Sequence, residues 1–170
     1  NTNFWKDSFL NDKKMIAFEQ SKSSNKTQSI FLGEYLKWDP QKMLKIAKKN
    51  GFTHPSYPKT GIYNYADIDC DFISIHHYLK WFKFGFTRVF DNLSIEIRNK
   101  RIDRKKAISI IKKKMKDIEP KSDIKKFCKY TNISNREFTK IIEKFRNKLI
   151  WEKKNNKWKI KNFIIKEYNW

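Results

Sequence analysis

Residues 72–88 read FISIHHYLKWFKFGFTR and predict the main helix of the protein. Its large apolar side chains recur at spacings of three and four: Phe72, Ile75, Leu79, Phe82, Phe86. Such spacing is typical of a helix that buries one face. Lys83 and Arg88 bracket the predicted end of that helix, with Gly85 between them. The sequence therefore predicts a long helix that ends between Lys83 and Arg88.

Upstream of this helix, one α/β-type unit is predicted. The apolar residues 30–32 before Gly33 indicate a short buried strand. Asp39 as N-cap and Pro40 at the first helical position then predict a helix, which ends at Asn50-Gly51. Residues 1–20 suggest one or two short helices and 21–29 a polar loop, whereas 54–71 reads as an irregular segment that displays binding groups.

Downstream, the pattern is helical until the last part of the chain. The signals, in chain order, are a short helix from Asp91 or Asn92 to Arg98, an N-cap at Asp103, a break at Pro120, a capping box of Ser134 with Glu137, and a hairpin over 149–163 that turns at Asn155-Asn156. We therefore expect a mostly helical α/β protein with few strands and a C-terminal β-hairpin.

The composition favours a folded protein with basic surfaces. The net charge is +21, which suggests a nucleic acid or another anionic partner. However, the 39 basic residues comprise 33 Lys and only 6 Arg, and specific readers of phosphates and bases rely on Arg. We therefore expect nucleic-acid binding to be the lesser alternative.

Cys70 and Cys128 form no Cys-x-x-Cys pattern, and no apolar run is long enough to cross a bilayer, so a soluble, cytoplasmic protein is expected.

Two cations beside a glycine form the first candidate site. Lys83 and Arg88 on either side of Gly85 suggest a grip for a phosphate or carboxylate. The alternative is structural: cations at a helix C-terminus commonly bind its last carbonyls. A helix C-terminus also repels anions, which the two charges would have to overcome.

The remaining candidate groups have equally ordinary alternatives. His76 and His77 are a possible acid or base pair, although a helical histidine is more often a packing residue, and a zinc pair would need a second histidine one turn away. The carboxylates of 67, 69 and 71 suit magnesium or sugar hydroxyls, or merely solvent. Glu96 and Arg98 cannot face one another on a helix, and Arg98 is a candidate for a buried ion pair.

A series of short elements follows in a specific order over residues 30–163: Phe31-Leu32-Gly33-Glu34-Tyr35, Trp38-Asp39, His77-Tyr78, Lys83-Phe84-Gly85-Phe86 with Arg88, Glu96-Ile97-Arg98, Ile102 to Arg104, and the segment Phe138 to Trp151. In order and spacing these elements resemble the C-terminal half of the N-acetyl sugar amidotransferase family. Thr87 and the pair Lys105-Lys106 depart from that pattern. The resemblance implies a partial Rossmann-like PP-loop fold, with 1–29 as an N-terminal flank, 30–147 as the C-terminal part of the amidotransferase domain, and 148–170 as hairpin and tail.

The resemblance also implies a function in bacterial lipopolysaccharide or surface-glycan synthesis. Such enzymes convert a sugar acetamido group to an acetamidino group, using ATP with Mg²⁺ to adenylate the amide and ammonia from glutaminase and cyclase-like subunits to displace AMP. The substrate would be a sugar or nucleotide-sugar. On this basis Lys83 and Arg88 are expected to hold an anion, and the pocket to be lined by Asn64, Asp69, His77 and Tyr78, with no metal of its own.

One part of that machinery has no counterpart in the sequence. The four glycines at 33, 51, 61 and 85 cannot form a glycine-rich phosphate loop, so the chain is expected to be inactive alone. Two other interpretations stay open: a basic nucleic-acid-binding module, and an inert remnant whose sheet has lost strands.

Overall fold

The structure is a computed structural model that describes residues 30–163 and residue 165. Within them the elements are α1 (Leu32–Tyr35), α2 (Pro40–Lys49), α3 (Ile73–Phe84), α4 (Arg88–Arg98), α5 (Arg104–Lys114), a 3₁₀ turn (Met115–Asp117), α6 (Lys121–Thr131), α7 (Asn135–Lys144), β1 (Trp151–Lys154) and β2 (Lys157–Ile160). This mostly helical chain with a C-terminal hairpin confirms the predicted fold class. The predictions for residues 1–29 lie outside the described residues.

The predicted strand at residues 30–32 is wrong. Leu32 begins the short helix α1 instead, and Phe31 is 81% exposed. The backbone closes on itself here, because Leu36 N donates to Leu32 O at 2.9 Å, so a turn satisfies groups that a strand would present to a neighbour. The chain divides into two compact units, 1–38 and 39–170, and α1 belongs to the first. The predicted boundaries at 29/30 and 147/148 stay predictions.

The helix after Asp39 begins and ends as predicted. The Asp39 carboxylate accepts hydrogen bonds from Gln41 N at 3.1 Å and Lys42 N at 3.4 Å, which satisfies donors at the helix start that have no partner within α2. Asn50 follows the last helical residue, and Gly51 has a φ of 89°, an angle that favours glycine.

The central helix α3 carries much of the core. Ile75, Trp81 and Phe82 are buried, and Gly85 ends the helix in the left-handed conformation, with a φ of 72°. Gly85 N donates to Trp81 O at 2.8 Å, a common closing bond of helices that end on glycine. Phe86 therefore lies beyond the helix rather than on its apolar face.

Of the helices after α3, α5 and α7 begin at their predicted caps, whereas α4 begins earlier than predicted. α4 begins at Arg88, directly after Thr87, and not at Asp91 or Asn92 as predicted. Asp103 accepts a bond from Lys106 N at 2.7 Å, which confirms its N-cap role. The predicted capping box is present: Glu137 N donates to Ser134 Oγ, and Ser134 N donates to the Glu137 carboxylate.

The C-terminal hairpin packs on α3. β1 and β2 pair antiparallel, with Trp151 opposite Ile160, and the turn residues Asn155 and Asn156 both have positive φ, as a two-residue hairpin turn requires. Trp151 is buried, and its Nε1 donates to Phe82 O at 2.9 Å. This bond joins the hairpin to the last turn of the central helix.

Candidate functional site

A cleft of about 260 Å³ opens beside the buried face of α3. Its walls come from the 58–61 loop, α3, the start of α4, the 3₁₀ turn and the start of α6. The lining residues are Pro58, Lys59, Thr60, Gly61, Ser74, His77, Tyr78, Thr87, Arg88, Val89, Lys114, Met115, Asp117, Ile118, Pro120 and Asp123. Three residues that the sequence analysis selected therefore line one cleft: His77, Tyr78 and Arg88.

The Asp67 carboxylate contacts two of those three residues, Arg88 and His77. Its Oδ2 lies 3.1 Å from Arg88 Nε and 3.5 Å from His77 Nε2, and it accepts a hydrogen bond from Thr60 Oγ1. Asp67 itself has a φ of 57°, a left-handed backbone angle that asparagine and aspartate adopt more readily than most residues. One carboxylate oxygen thus positions side chains from α3, α4 and the loop.

His77 is a buried, neutral imidazole. Its exposed fraction is 9%, and neither ring nitrogen forms a hydrogen bond, although Asp67 Oδ2 lies 3.5 Å from Nε2. Burial lowers the pKa of His77, and Arg88 lowers it further, against the opposing effect of Asp67. At neutral pH His77 therefore has one nitrogen able to accept a proton and one able to donate a hydrogen bond.

Charged groups surround the cleft unevenly. Lys59, Arg88 and Lys114 supply three positive charges to its lining, whereas Asp117 and Asp123 supply two negative ones. Asp123 accepts a hydrogen bond from Ser74 Oγ at 2.5 Å, so part of its charge is already engaged. Lys59 and Arg88 are likewise paired, with Asp71 at 3.5 Å and Asp67 at 3.1 Å, so the lining is polar and mixed in charge.

Tyr78 separates this cleft from a second cavity. Tyr78 lines both, and the second cavity, of about 330 Å³, also includes Glu119 and Glu143. Burial raises the pKa of Tyr78 to about 12, with smaller contributions from the two glutamates. Tyr78 is therefore a neutral phenol that can donate a hydrogen bond at physiological pH.

Three other predicted site residues lie elsewhere. Lys83 is exposed at the end of α3, with its Nζ 5.4 Å from the ring centre of Phe84, and does not line the cleft. Asn64 uses its amide to bond Ser56 O at 3.1 Å, and Asp69 is exposed. Neither belongs to the cleft lining, so the proposed roles of Lys83, Asn64 and Asp69 stay predictions.

The described residues contain no cluster of metal-binding side chains. Among them, no group of three or more His, Cys, Asp or Glu side chains is placed to hold a metal ion. Asp71 pairs with Lys59 at 3.5 Å, and Asp67 is occupied by Arg88 and Thr60. The Mg²⁺ and ATP that the family resemblance implies stay predictions.

Sequence reasoning chose the wrong arginine for the buried ion pair. Arg98 is exposed, whereas Arg101 binds Glu96 and Asp39 together. The hydrogen bond to Glu96 lowers the pKa of that carboxyl and outweighs the effect of burial. Glu96 also accepts a hydrogen bond from Tyr63. No local pattern reveals this network, because its members come from three separate segments.

Comparison with known protein families identifies the family of this chain. A family model described as LPS biosynthesis protein WbpG-like, C-terminal domain, matches residues 61–164. No curated protein matches the chain. Across the described residues, no helix has both the length and the apolar character required to cross a membrane. The matched segment contains the whole of α3 to β2 and most of the cleft lining, and it confirms the predicted resemblance. The chain belongs to the family of lipopolysaccharide biosynthesis proteins with a WbpG-like C-terminal domain.

Proposed function

We propose that this chain supplies the sugar-binding wall of a cytoplasmic N-acetyl sugar amidotransferase, an enzyme that converts an acetamido group to an acetamidino group during surface-glycan synthesis. The family supports a role in lipopolysaccharide biosynthesis. The cleft supports the finer assignment, because His77, Tyr78 and Arg88 line it together. That convergence of a neutral imidazole, a phenol and a guanidinium is the observation that carries the proposal.

The reaction needs a proton acceptor at neutral pH. The nitrogen of ammonia bonds to the acetamido carbon, and the bond from that carbon to its oxygen breaks, with the oxygen leaving on the AMP that activation by ATP would attach to it. The nitrogen loses one proton on the way to the amidinium product. His77 is the described lining residue suited to receive that proton, since burial lowers its pKa and keeps the ring neutral. Tyr78 would donate a hydrogen bond to the sugar.

Positioning is the second contribution of these residues. Asp67 contacts both Arg88 and His77, so a sugar held by Arg88 would lie beside the imidazole. The amide oxygen is a poor leaving group, and activation by ATP is what the family resemblance implies. We assign that activation, like the supply of ammonia by glutaminase and cyclase-like subunits, to partners or to other parts of the enzyme.

The decisive experiment compares surface glycans from cells. Disruption of the coding sequence should leave an acetamido group wherever the normal glycan carries an acetamidino group, which mass spectrometry detects as oxygen in place of NH. A chromosomal His77→Gln change should cause the same loss while the protein level, followed by immunoblot, stays normal. An unchanged amidine content after disruption would remove the assignment.

A further inference from the structure

We propose that the N-terminus of α4 is an oxyanion-binding subsite of the cleft, which holds a carboxylate or phosphate group carried by the sugar substrate. The inference deepens the proposed function and rests on it for the identity of the substrate. The subsite consists of the first-turn backbone of Arg88 and Val89, the Arg88 side chain and His77, with Lys59 and Lys114 on the cleft wall.

The start of α4 lacks a side-chain cap. Thr87 is the N-cap residue of this 11-residue helix, yet its side chain accepts no hydrogen bond from the first turn. Its Oγ1 lies 3.9 Å from Met115 Sδ instead. Asp91, the acid in the first turn, forms an ion pair with Lys80 at 2.6 Å. No side chain therefore caps the backbone donors at this helix end, whose residues Thr87, Arg88 and Val89 line the cleft, and helix N-termini attract anions.

His77 provides an independent sign of a ligand. It is nine-tenths buried, it lines the same cleft, and neither of its ring nitrogens has a hydrogen-bond partner. A buried polar group without a partner is costly in free energy, and a bound oxyanion would accept a hydrogen bond from the protonated nitrogen of the neutral ring. Arg88 Nε is also buried, and its partner is the ion pair with Asp67 Oδ2 at 3.1 Å, so the sign of a ligand rests on His77.

The negative charges nearby leave room for a ligand anion. Asp67 is the carboxylate closest to Arg88 among the described ion pairs, but its Oδ2 is shared with His77 and Thr60, and a guanidinium has five N–H donors to satisfy. Asp123 is engaged by Ser74. Asp117 also lines the cleft and opposes an anion, so its removal should strengthen binding.

The position also resolves a difficulty in the sequence-based hypothesis. Lys83 and Arg88 were expected to hold an anion against the repulsion of a helix C-terminus. The structure places Arg88 at the start of the next helix, where the backbone attracts anions, and leaves Lys83 on the exposed last turn of α3. The attraction thus comes from Arg88 and α4 together.

The test is a titration of the full chain followed by amide NMR at low salt. Three probes are used: inorganic phosphate, uridine diphosphate and N-acetylneuraminic acid. We expect the amide signals of Arg88 and Val89 to shift on saturation. Arg88→Gln should weaken binding about tenfold, because the guanidinium is lost. Asp117→Asn should strengthen binding about threefold. Arg88→Lys keeps the positive charge, so binding by this variant would show that a loss in Arg88→Gln is not a folding defect.

The matched control is Arg98→Gln, which removes the same charge from the exposed far end of α4. Binding of uridine diphosphate alone identifies a nucleotide phosphate as the ligand group, and binding of N-acetylneuraminic acid alone identifies a sugar carboxylate; either supports the subsite. Equal losses in Arg88→Gln and Arg98→Gln, or an absence of shifts at the start of α4, would overturn it. The glycan analysis above is a separate readout, so the subsite and the amidotransferase function can fail independently.

Discussion

Arg101 holds Glu96 with two parallel hydrogen bonds, Nε to Oε2 at 2.6 Å and Nη2 to Oε1 at 2.8 Å. The same guanidinium reaches both oxygens of Asp39 at 3.0 Å through Nη1. Since Asp39 caps α2 and Glu96 lies in α4, one arginine fixes the start of one helix to the body of another. Such planar, two-point contacts are the strongest kind of ion pair.

Replacement of Arg101 by Leu should destabilise the protein by about 3 kcal/mol, because Glu96 would be left buried without its cation. Chemical denaturation measures the change. Arg98→Leu is the control, three residues away and exposed, and should lie within about 0.5 kcal/mol of the wild type. Similar losses in both variants would show that the network contributes no more than surface charge.

Gly85 should not tolerate a side chain. Its φ of 72° is unfavourable for other residues, and an added Cβ would lie 3.1 Å from Ile160 Cδ1 and 3.2 Å from Ile150 Cγ2. Gly85→Ala should therefore cost about 2–3 kcal/mol from backbone strain and crowding together. Gly51→Ala is the matched comparison, because Gly51 has a φ of 89° but open space around it, and should cost only about 1 kcal/mol. Thermal unfolding of both variants separates the two contributions, and equal costs would mean that the hairpin does not press on Gly85.

Helix caps, which depend on neighbouring residues, are predicted correctly from the sequence, whereas pairings between distant segments are not. Asp39, Asp103 and Ser134 cap helices through bonds to residues two or three positions away, so the sequence alone reveals them. The strand predicted at 30–32 failed because an apolar run of three has no periodicity to separate a strand from a helical turn.

The candidate site shows the same division. His77, Tyr78 and Arg88 were selected because they belong to one conspicuous block, and they do line one cleft. Arg101 was missed, because its partner Asp39 is 62 residues away in the chain. The sequence does not decide whether Asp67 binds magnesium or a sugar hydroxyl, or is merely solvated. Its actual neighbours, Thr60, His77 and Arg88, come together only after folding.

Arg146 should behave as a packing residue as much as a charge. Its guanidinium lies 4.2 Å from the ring centre of Phe82 and 4.7 Å from those of Trp151 and Trp158, and it binds Glu143 through two bonds. Arg146→Ala should lower stability by about 2 kcal/mol and change the near-ultraviolet circular dichroism of the tryptophans. Arg146→Lys keeps the charge but loses the flat stacking surface, so it should recover less than half of that stability. Full recovery by lysine would show that charge alone matters at this position.

The buried state of His77 predicts how stability depends on pH. Burial lowers the pKa of His77 in the folded protein below its unfolded value of about 6.5. As the pH falls below that value, the unfolded chain binds a proton that the folded protein resists, so stability should decrease until the folded pKa is passed. Asp67 partly offsets this effect, whereas Arg88, His76 and Lys80 reinforce it.

Denaturation midpoints measured between about pH 5 and 8 should therefore fall toward the acid side, and His77→Gln should flatten that slope. His76→Gln provides the control, since His76 is exposed and adjacent, and it should leave most of the slope in place. An identical slope in wild type and His77→Gln would mean that His77 is as readily protonated in the folded protein as in the unfolded chain, and it would then be a poor choice for the proton acceptor of the proposed reaction.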